Sequence, residues 1–272
     1  MTTIHDPHTA HPLATVATLP ASLILAGRIL AGWRTNKAAV VIAWVFPIFV
    51  TLLFIGLLGG AMELPAGESY VDFVMPGMLA VTMLFGLETT TLATAADAAK
   101  GLNDRFRSMP ISAAAVPLAR CLADMLGSAV GLGVMVLFGL AIGWRPGFGL
   151  GGALAAVALL TLLRFSLLWI GLTIGQRSTS VESVAFVQIL VWPIAMLSSV
   201  FVDPATMPRV LRWVAELNPI SATATTLRDL AGTATWSGQA LSADVSALLA
   251  VAWPGVLMLL FVPAAARAFR YR

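Results

Sequence analysis

Residues 96–112 read ADAAKGLNDRFRSMPIS. The segment carries Asp97, Lys100, Asp104, Arg105 and Arg107, and it closes on Met109-Pro110, a pair that stops a helix from running straight through. Apolar runs flank it at 71–95 and 114–143, each long enough to cross a bilayer at roughly 1.5 Å per residue. A charged stretch between two such runs is a loop joining spans, and its charge marks the side of the membrane it occupies.

The rest of the chain has the same character. Its 272 residues are 59% hydrophobic and 11% charged, with a mean hydropathy of +0.91, which excludes a soluble domain and implies an all-α integral membrane protein. The net charge of +3 comes without a basic patch interleaved with aromatics, so nucleic acid is not an expected partner. The single cysteine, Cys121, rules out an internal disulfide and sits in an apolar run, where thiols serve packing.

Residues 1–18 are polar and lack the basic start and apolar stretch of a cleavable signal peptide, so they are expected to stay attached as a disordered tail. His5, His8 and His11 recur there, but an unstructured tail gives a metal no fixed geometry. From 19 to 37, Leu23, Ala26, Gly27, Leu30 and Trp33 form one helical stripe, read as an amphipathic helix in the membrane interface or as an extension of the first span. Spans are expected at 38–60, 71–95, 114–143, 150–175, 183–202 and 244–266. Pro47 and Trp192-Pro193 are expected to kink two of them. Gly127, Gly131, Gly139 and Gly143 offer a small-residue seam on the third. Between the fifth and sixth spans, 203–242 is too polar to cross. Two short helices are expected there, divided at Asn218-Pro219 and either re-entrant or lying on the surface.

Six spans place both termini on one side. With the termini inside, the inner segments hold Arg28, Arg34, Lys37, Lys100, Arg105, Arg107, Arg177, Arg267, Arg270 and Arg272, against Arg145, Arg209, Arg212 and Arg228 outside. That bias puts 96–112 in the cytoplasm and the short helices on the far face, in a multi-pass protein of the cell membrane.

No phosphate-binding glycine loop surrounds Lys37 or Lys100, and His-Glu-x-x-His, Gly-x-Ser-x-Gly and cysteine pairs are absent, so no enzymatic centre is expected. The ionisable groups inside spans need partners. At 1.5 Å per residue Glu88 and Asp124 lie roughly 12 Å deep and Arg164 roughly 18 Å deep, where an isolated charge costs on the order of 3 kcal/mol. A Glu88–Arg164 pair fixing helix packing is one expectation; a polar path or gate formed by Glu88, Asp124, Arg164 and Gln188 is the other. Arg120 and Asp124 have i,i+4 spacing for a pair of their own.

The charged loop GLNDRFRSMPIS, followed by ARCLAD, and the ELNPIS junction before the last span together resemble the ABC-type-2 export permeases, specifically the daunorubicin-resistance-like membrane subunits. The resemblance covers almost the whole of 19–272 as one transmembrane domain: six transmembrane helices, an N-terminal interfacial helix, a cytoplasmic coupling helix between spans 2 and 3, and short external helices between spans 5 and 6. It implies a separate cytoplasmic ATP-binding subunit and a second permease subunit, identical or related. It also implies that Asp104, Arg105 and Arg107 make polar contacts with the ATPase while Phe106 and Met109 bury against it beside Pro110. No cofactor is expected on this chain; ATP and Mg belong to the partner. Only Tyr70 and Tyr271 are present as tyrosines, and the tryptophans flank the spans, which favours a hydrophobic or amphipathic cargo such as a drug, antibiotic or lipid-like molecule over a sugar polymer. The alternative is a secondary transporter or channel in which Glu88, Asp124 and Arg164 relay ions or protons.

Overall fold

The computed structural model describes residues 17–60, 69–102, 112, 114–178, 180–236 and 241–271. Among them there is no strand. The helices are α1 (Thr18–Thr35), α2 (Lys37–Leu58), α3 (Tyr70–Ala99), α4 (Ala115–Ala141), α5 (Leu150–Arg177), α6 (Ala185–Met196), α7 (Arg209–Leu217), α8 (Pro219–Ala231) and α9 (Ala243–Tyr271). Five of them, α2, α3, α4, α5 and α9, are long and apolar enough to cross a membrane. The tail 1–16 lies outside the described residues.

α3 is the centre, packed against α2, α4, α5, α6 and α8. Phe73, Val74, Met75, Met78 and Ala80 are wholly buried. By contrast, α2 and α9 turn Ile42, Phe49, Leu57, Leu248 and Leu259 outward, as helices facing lipid do. α1 is a helix of its own, set off from α2 by the non-helical backbone at Asn36, and it lies along α4. Its packed face is Ala21, Ser22 and Ala26. Leu23 and Gly27, placed on that stripe by periodicity, are exposed.

The small-residue seam is divided differently from the expectation. A Cβ on Gly127 would come within 3.0 Å of the Trp33 ring, and one on Gly131 within 3.2 Å of Trp44, so these positions receive indole rings rather than a neighbouring backbone. Gly139 meets Met75 and Trp144, and Gly143, at φ 100°, belongs to a turn. The close backbone approach lies instead between α3 and α5. There a Cβ on Gly171 would sit 3.1 Å from the Leu87 carbonyl, and one on Gly175 would sit 2.7 Å from that of Thr91. Gly175→Ala is therefore expected to cost about 1–3 kcal/mol by overpacking. Gly133→Ala, with no atom within 4 Å of its Cβ, should be neutral or stabilising. Unfolding midpoints of the two variants in detergent check this; equal midpoints would contradict the seam.

The expected fifth span, 183–202, is only partly helical. α6 has 12 residues, about 18 Å, well short of an apolar core of about 30 Å. Residues 197–203 continue as turns, with Ser198, Ser199, Val200 and Phe201 buried. α7 is inside-out for a protein surface: Val210, Trp213 and Val214 face outward, while Ala215 and Glu216 are buried and Arg212 Nε donates to Glu216 Oε1 at 2.9 Å.

Candidate functional site

Three polar sites interrupt this apolar bundle. The first begins on α3 in the run Glu88-Thr89-Thr90-Thr91. Thr89 and Thr91 spend their hydroxyls on carbonyls of their own helix, as threonines in apolar helices commonly do. Thr90 instead points at α4 and α5. Its Oγ1 donates to Asp124 Oδ2 at 2.7 Å and accepts from Arg164 Nη2 at 2.7 Å. Arg164 Nε donates to Ser128 Oγ at 2.6 Å, and Gly86 leaves the room this guanidinium occupies. Asp124 Oδ1 lies 3.3 Å from Arg120 Nε, the i,i+4 pair anticipated from spacing, and Arg120 Nη1 reaches Asp97 Oδ2 at 3.2 Å.

The result is a continuous chain, Asp97–Arg120–Asp124–Thr90–Arg164–Ser128, linking α3, α4 and α5. Within this chain two acids face two guanidiniums, with Arg28 and Lys100 also near Asp97, so each buried acid has a cation beside it. Asp97 and Arg120 also bracket the 98–119 connection. The helix ends on either side of that loop are thus tied to each other and, through Thr90, to Arg164 in the interior.

The second site corrects the Glu88–Arg164 pairing. Glu88 is turned away from Arg164 and accepts from Gln188 Nε2 of α6. Among the described residues no Lys or Arg lies within salt-bridge distance of Glu88. The four expected pathway residues therefore fall into two groups: Asp124 and Arg164 inside the cluster, Glu88 and Gln188 on the α3–α6 face.

The third site is the junction at 218. Asn218 caps α8, its Oδ1 accepting from Ile220 N at 2.8 Å, and Pro219 occupies the first helical position, where no N–H is needed. Asn218 Nδ2 also donates to the Ile194 and Leu197 carbonyls at 2.7 and 2.9 Å, capping the end of α6. The Leu217 carbonyl accepts from Trp253 Nε1 at 2.7 Å. Trp253 is ten residues into α9, about 15 Å from its start. The other end of α8 meets the α4–α5 turn, where Gly147 N donates to Ala231 O at 3.0 Å. Both ends of α8 are thus held by the helices around it.

Arg228 completes the junction. Fully buried, it donates to the carbonyls of Phe73, Ser199 and Val200 at 3.0, 3.1 and 3.2 Å, with its guanidinium carbon 3.8 Å over the Phe73 ring. Trp236 Nε1 adds a bond to Ser199 O at 2.7 Å, and Ser221 Oγ accepts from Ser199 N at 2.9 Å. The non-helical backbone of 197–200 is thereby satisfied by side chains, without which it could not stay in an apolar setting. Sequence reasoning counted Arg228 only as an outside charge and missed this role. It also missed Thr90 and Ser128, although Arg120, Asp124 and Ser128 do recur at intervals of four on α4.

The proposed coupling residues Asp104, Arg105, Phe106, Arg107, Met109 and Pro110 lie outside the described residues. Among the described residues no group of His, Cys, Asp or Glu could hold a metal ion.

The ABC-2 type transporter family model matches residues 21–230. The daunorubicin resistance ABC transporter permease protein DrrB1 of Streptomyces coeruleorubidus is 34% identical over 219 residues, covering 79% of this chain and 76% of that protein. The match runs through α3, the polar cluster and nearly all of α8, and with the apolar helices around them it establishes that this chain is a multi-pass membrane permease belonging to the ABC-2 type transporter family.

Proposed function

We propose that the chain is the membrane-spanning subunit of an ATP-driven exporter that moves a hydrophobic or amphipathic molecule out of the cytoplasm, with ATP and Mg held by a separate ATPase subunit and a second permease chain completing the path. The observation that carries this reading is the tie across the 98–119 connection. Force delivered to a loop is useful only if its ends are fixed to what must move, and Asp97–Arg120 fixes them to Asp124, Thr90 and Arg164. The similarity to a drug-resistance permease supports the direction and the class of cargo.

In this reading both termini and the 96–112 loop are cytoplasmic in the cell membrane, α1 lies in the interface, and the loop at 97–112 forms the coupling helix, with its ATPase contacts at 104–110. α6 and the 197–203 turns together make the fifth of six crossings, and α7–α8 enter from the far face. The engagement of Asp124 by Arg120 and Thr90 argues against an ion relay through Asp124 and Arg164.

Co-expression with the ATP-binding protein encoded nearest to it tests the proposal. The wild-type chain is expected to co-purify with that protein and to drive ATP-dependent cargo uptake into inverted vesicles. Phe106→Asp with Met109→Asp should abolish both while leaving the permease folded. Cargo movement by this chain alone on a pH gradient, without ATP, would overturn it.

A further inference from the structure

α7 and α8 meet the start of α9 and the turn after α6 around a small cavity. Its wall is polar: Ser199 from the turn, Glu216 from α7, Ser221 and Thr225 from α8 and Ser246 from α9 all line it. It offers the centre of a water-sized occupant about 10 Å³, and one water molecule needs roughly 10–15 Å³ on that measure.

The main chain of Ser199 is fully engaged. Its carbonyl accepts from Arg228 Nη1 and Trp236 Nε1, and its N–H donates to Ser221 Oγ. Its own Oγ, on a wholly buried residue, has no hydrogen-bond partner among the described residues. A hydroxyl left so is costly, and native interiors satisfy such groups with protein or with water. Ser221 Oγ accepts from Ser199 N and still carries a proton to donate.

The charges around the cavity decide what it holds. Glu216 puts a carboxylate on the wall, which opposes an anion. Arg212 Nε lies 2.9 Å from Glu216 Oε1, and Arg228 Nη1 lies 3.1 Å from the Ser199 carbonyl. Two guanidiniums thus stand beside one acid, and a further cation is opposed as well. What remains is a neutral molecule with both donors and acceptors, no larger than the space allows.

We propose that this cavity is a binding site for one ordered water, which accepts from the Ser199 and Ser221 hydroxyls and donates to the Glu216 carboxylate. Three bonds are typical of a buried water. The water joins the turn after α6 to the end of α7, whose buried residues are Ala215 and Glu216. It is a link that breaks and re-forms without displacing either main chain. The site involves neither cargo nor ATPase, so it stands or falls apart from the exporter reading.

High-resolution density for the full chain, crystallised from a lipid mesophase in rubidium bromide, tests this. One peak is expected within hydrogen-bond distance of Ser199 Oγ, Ser221 Oγ and the Glu216 carboxylate, with no anomalous signal from rubidium or bromide there. A cavity without density, a lipid or detergent chain inside it, or an anomalous rubidium or bromide peak would each overturn the site. Ser199→Ala removes one partner of the water and is expected to weaken the peak and to lower the unfolding midpoint in detergent by about 2–4 °C. An unchanged or raised midpoint would mean that the hydroxyl had no bond to lose, and it too would overturn the site. The wild-type density decides the matter even where the variant does not fold.

Discussion

Arg228→Met is expected to destabilise the protein by about 3–5 kcal/mol, the largest effect of any single side chain described here. The guanidinium serves three carbonyls from two different segments, Phe73 on α3 and Ser199 and Val200 in the turns after α6. Methionine fills a similar volume and offers no donor, so Val200 O would lose its bond and Ser199 O would keep only that from Trp236 Nε1. Arg228→Lys should rescue little, because an ammonium cannot reproduce the planar fork that spans three acceptors while stacking on Phe73. Arg209→Ala, at an exposed position on α7, is the control and should fall within about 0.5 kcal/mol of wild type. Folded yield and unfolding midpoint in detergent separate the two; a wild-type midpoint for Arg228→Met would show that the 197–200 backbone has another source of hydrogen bonds.

The second large effect concerns balance within the polar cluster. Arg164→Leu takes from Asp124 the cation it meets through Thr90, and Asp124→Leu leaves Arg164 with no acid in the cluster's interior. Each single change should cost about 3 kcal/mol or more, while the double variant retains a neutral Asp97–Arg120 pair and should recover about 1–3 kcal/mol of the summed loss. Glu88→Leu combined with Arg164→Leu should be additive within about 0.5 kcal/mol, since the two side chains share no partner. A double-mutant cycle on unfolding free energies reads both numbers. Coupling between Glu88 and Arg164 and none between Asp124 and Arg164 would reverse the assignment.

Much of the architecture is legible from residue pattern alone. The apolar runs mark the long helices, Asn218-Pro219 marks the start of α8, and Arg120-x-x-x-Asp124 marks its own pair, because each is a local rule of spacing or backbone chemistry. What is not legible depends on which face of one helix meets which face of another. Glu88 and Thr90 are two residues apart on α3, and that offset points one toward α6 and the other toward Asp124, reversing the pairing that depth alone suggests. Gly171 and Gly175 look no different in sequence from Gly127 and Gly131, yet only the first two admit a neighbouring backbone. Arg228 looked like a surface charge because its three acceptors belong to backbone, which leaves no trace in side-chain composition. The fifth apolar run reads as a simple span because hydropathy records composition and is blind to the loss of helical hydrogen bonding after Met196.

That broken run also sets an order of events during synthesis. A complete apolar helix can leave the insertion machinery for lipid as soon as it is made, since its backbone groups are paired within it. Residues 183–202 cannot, because the carbonyls of Ile194, Leu197, Ser199 and Val200 find their donors on Asn218 and Arg228. Those donors come some twenty to thirty residues later in the chain, so the backbone of 194–200 is satisfied only once that later part has been made and has packed against it.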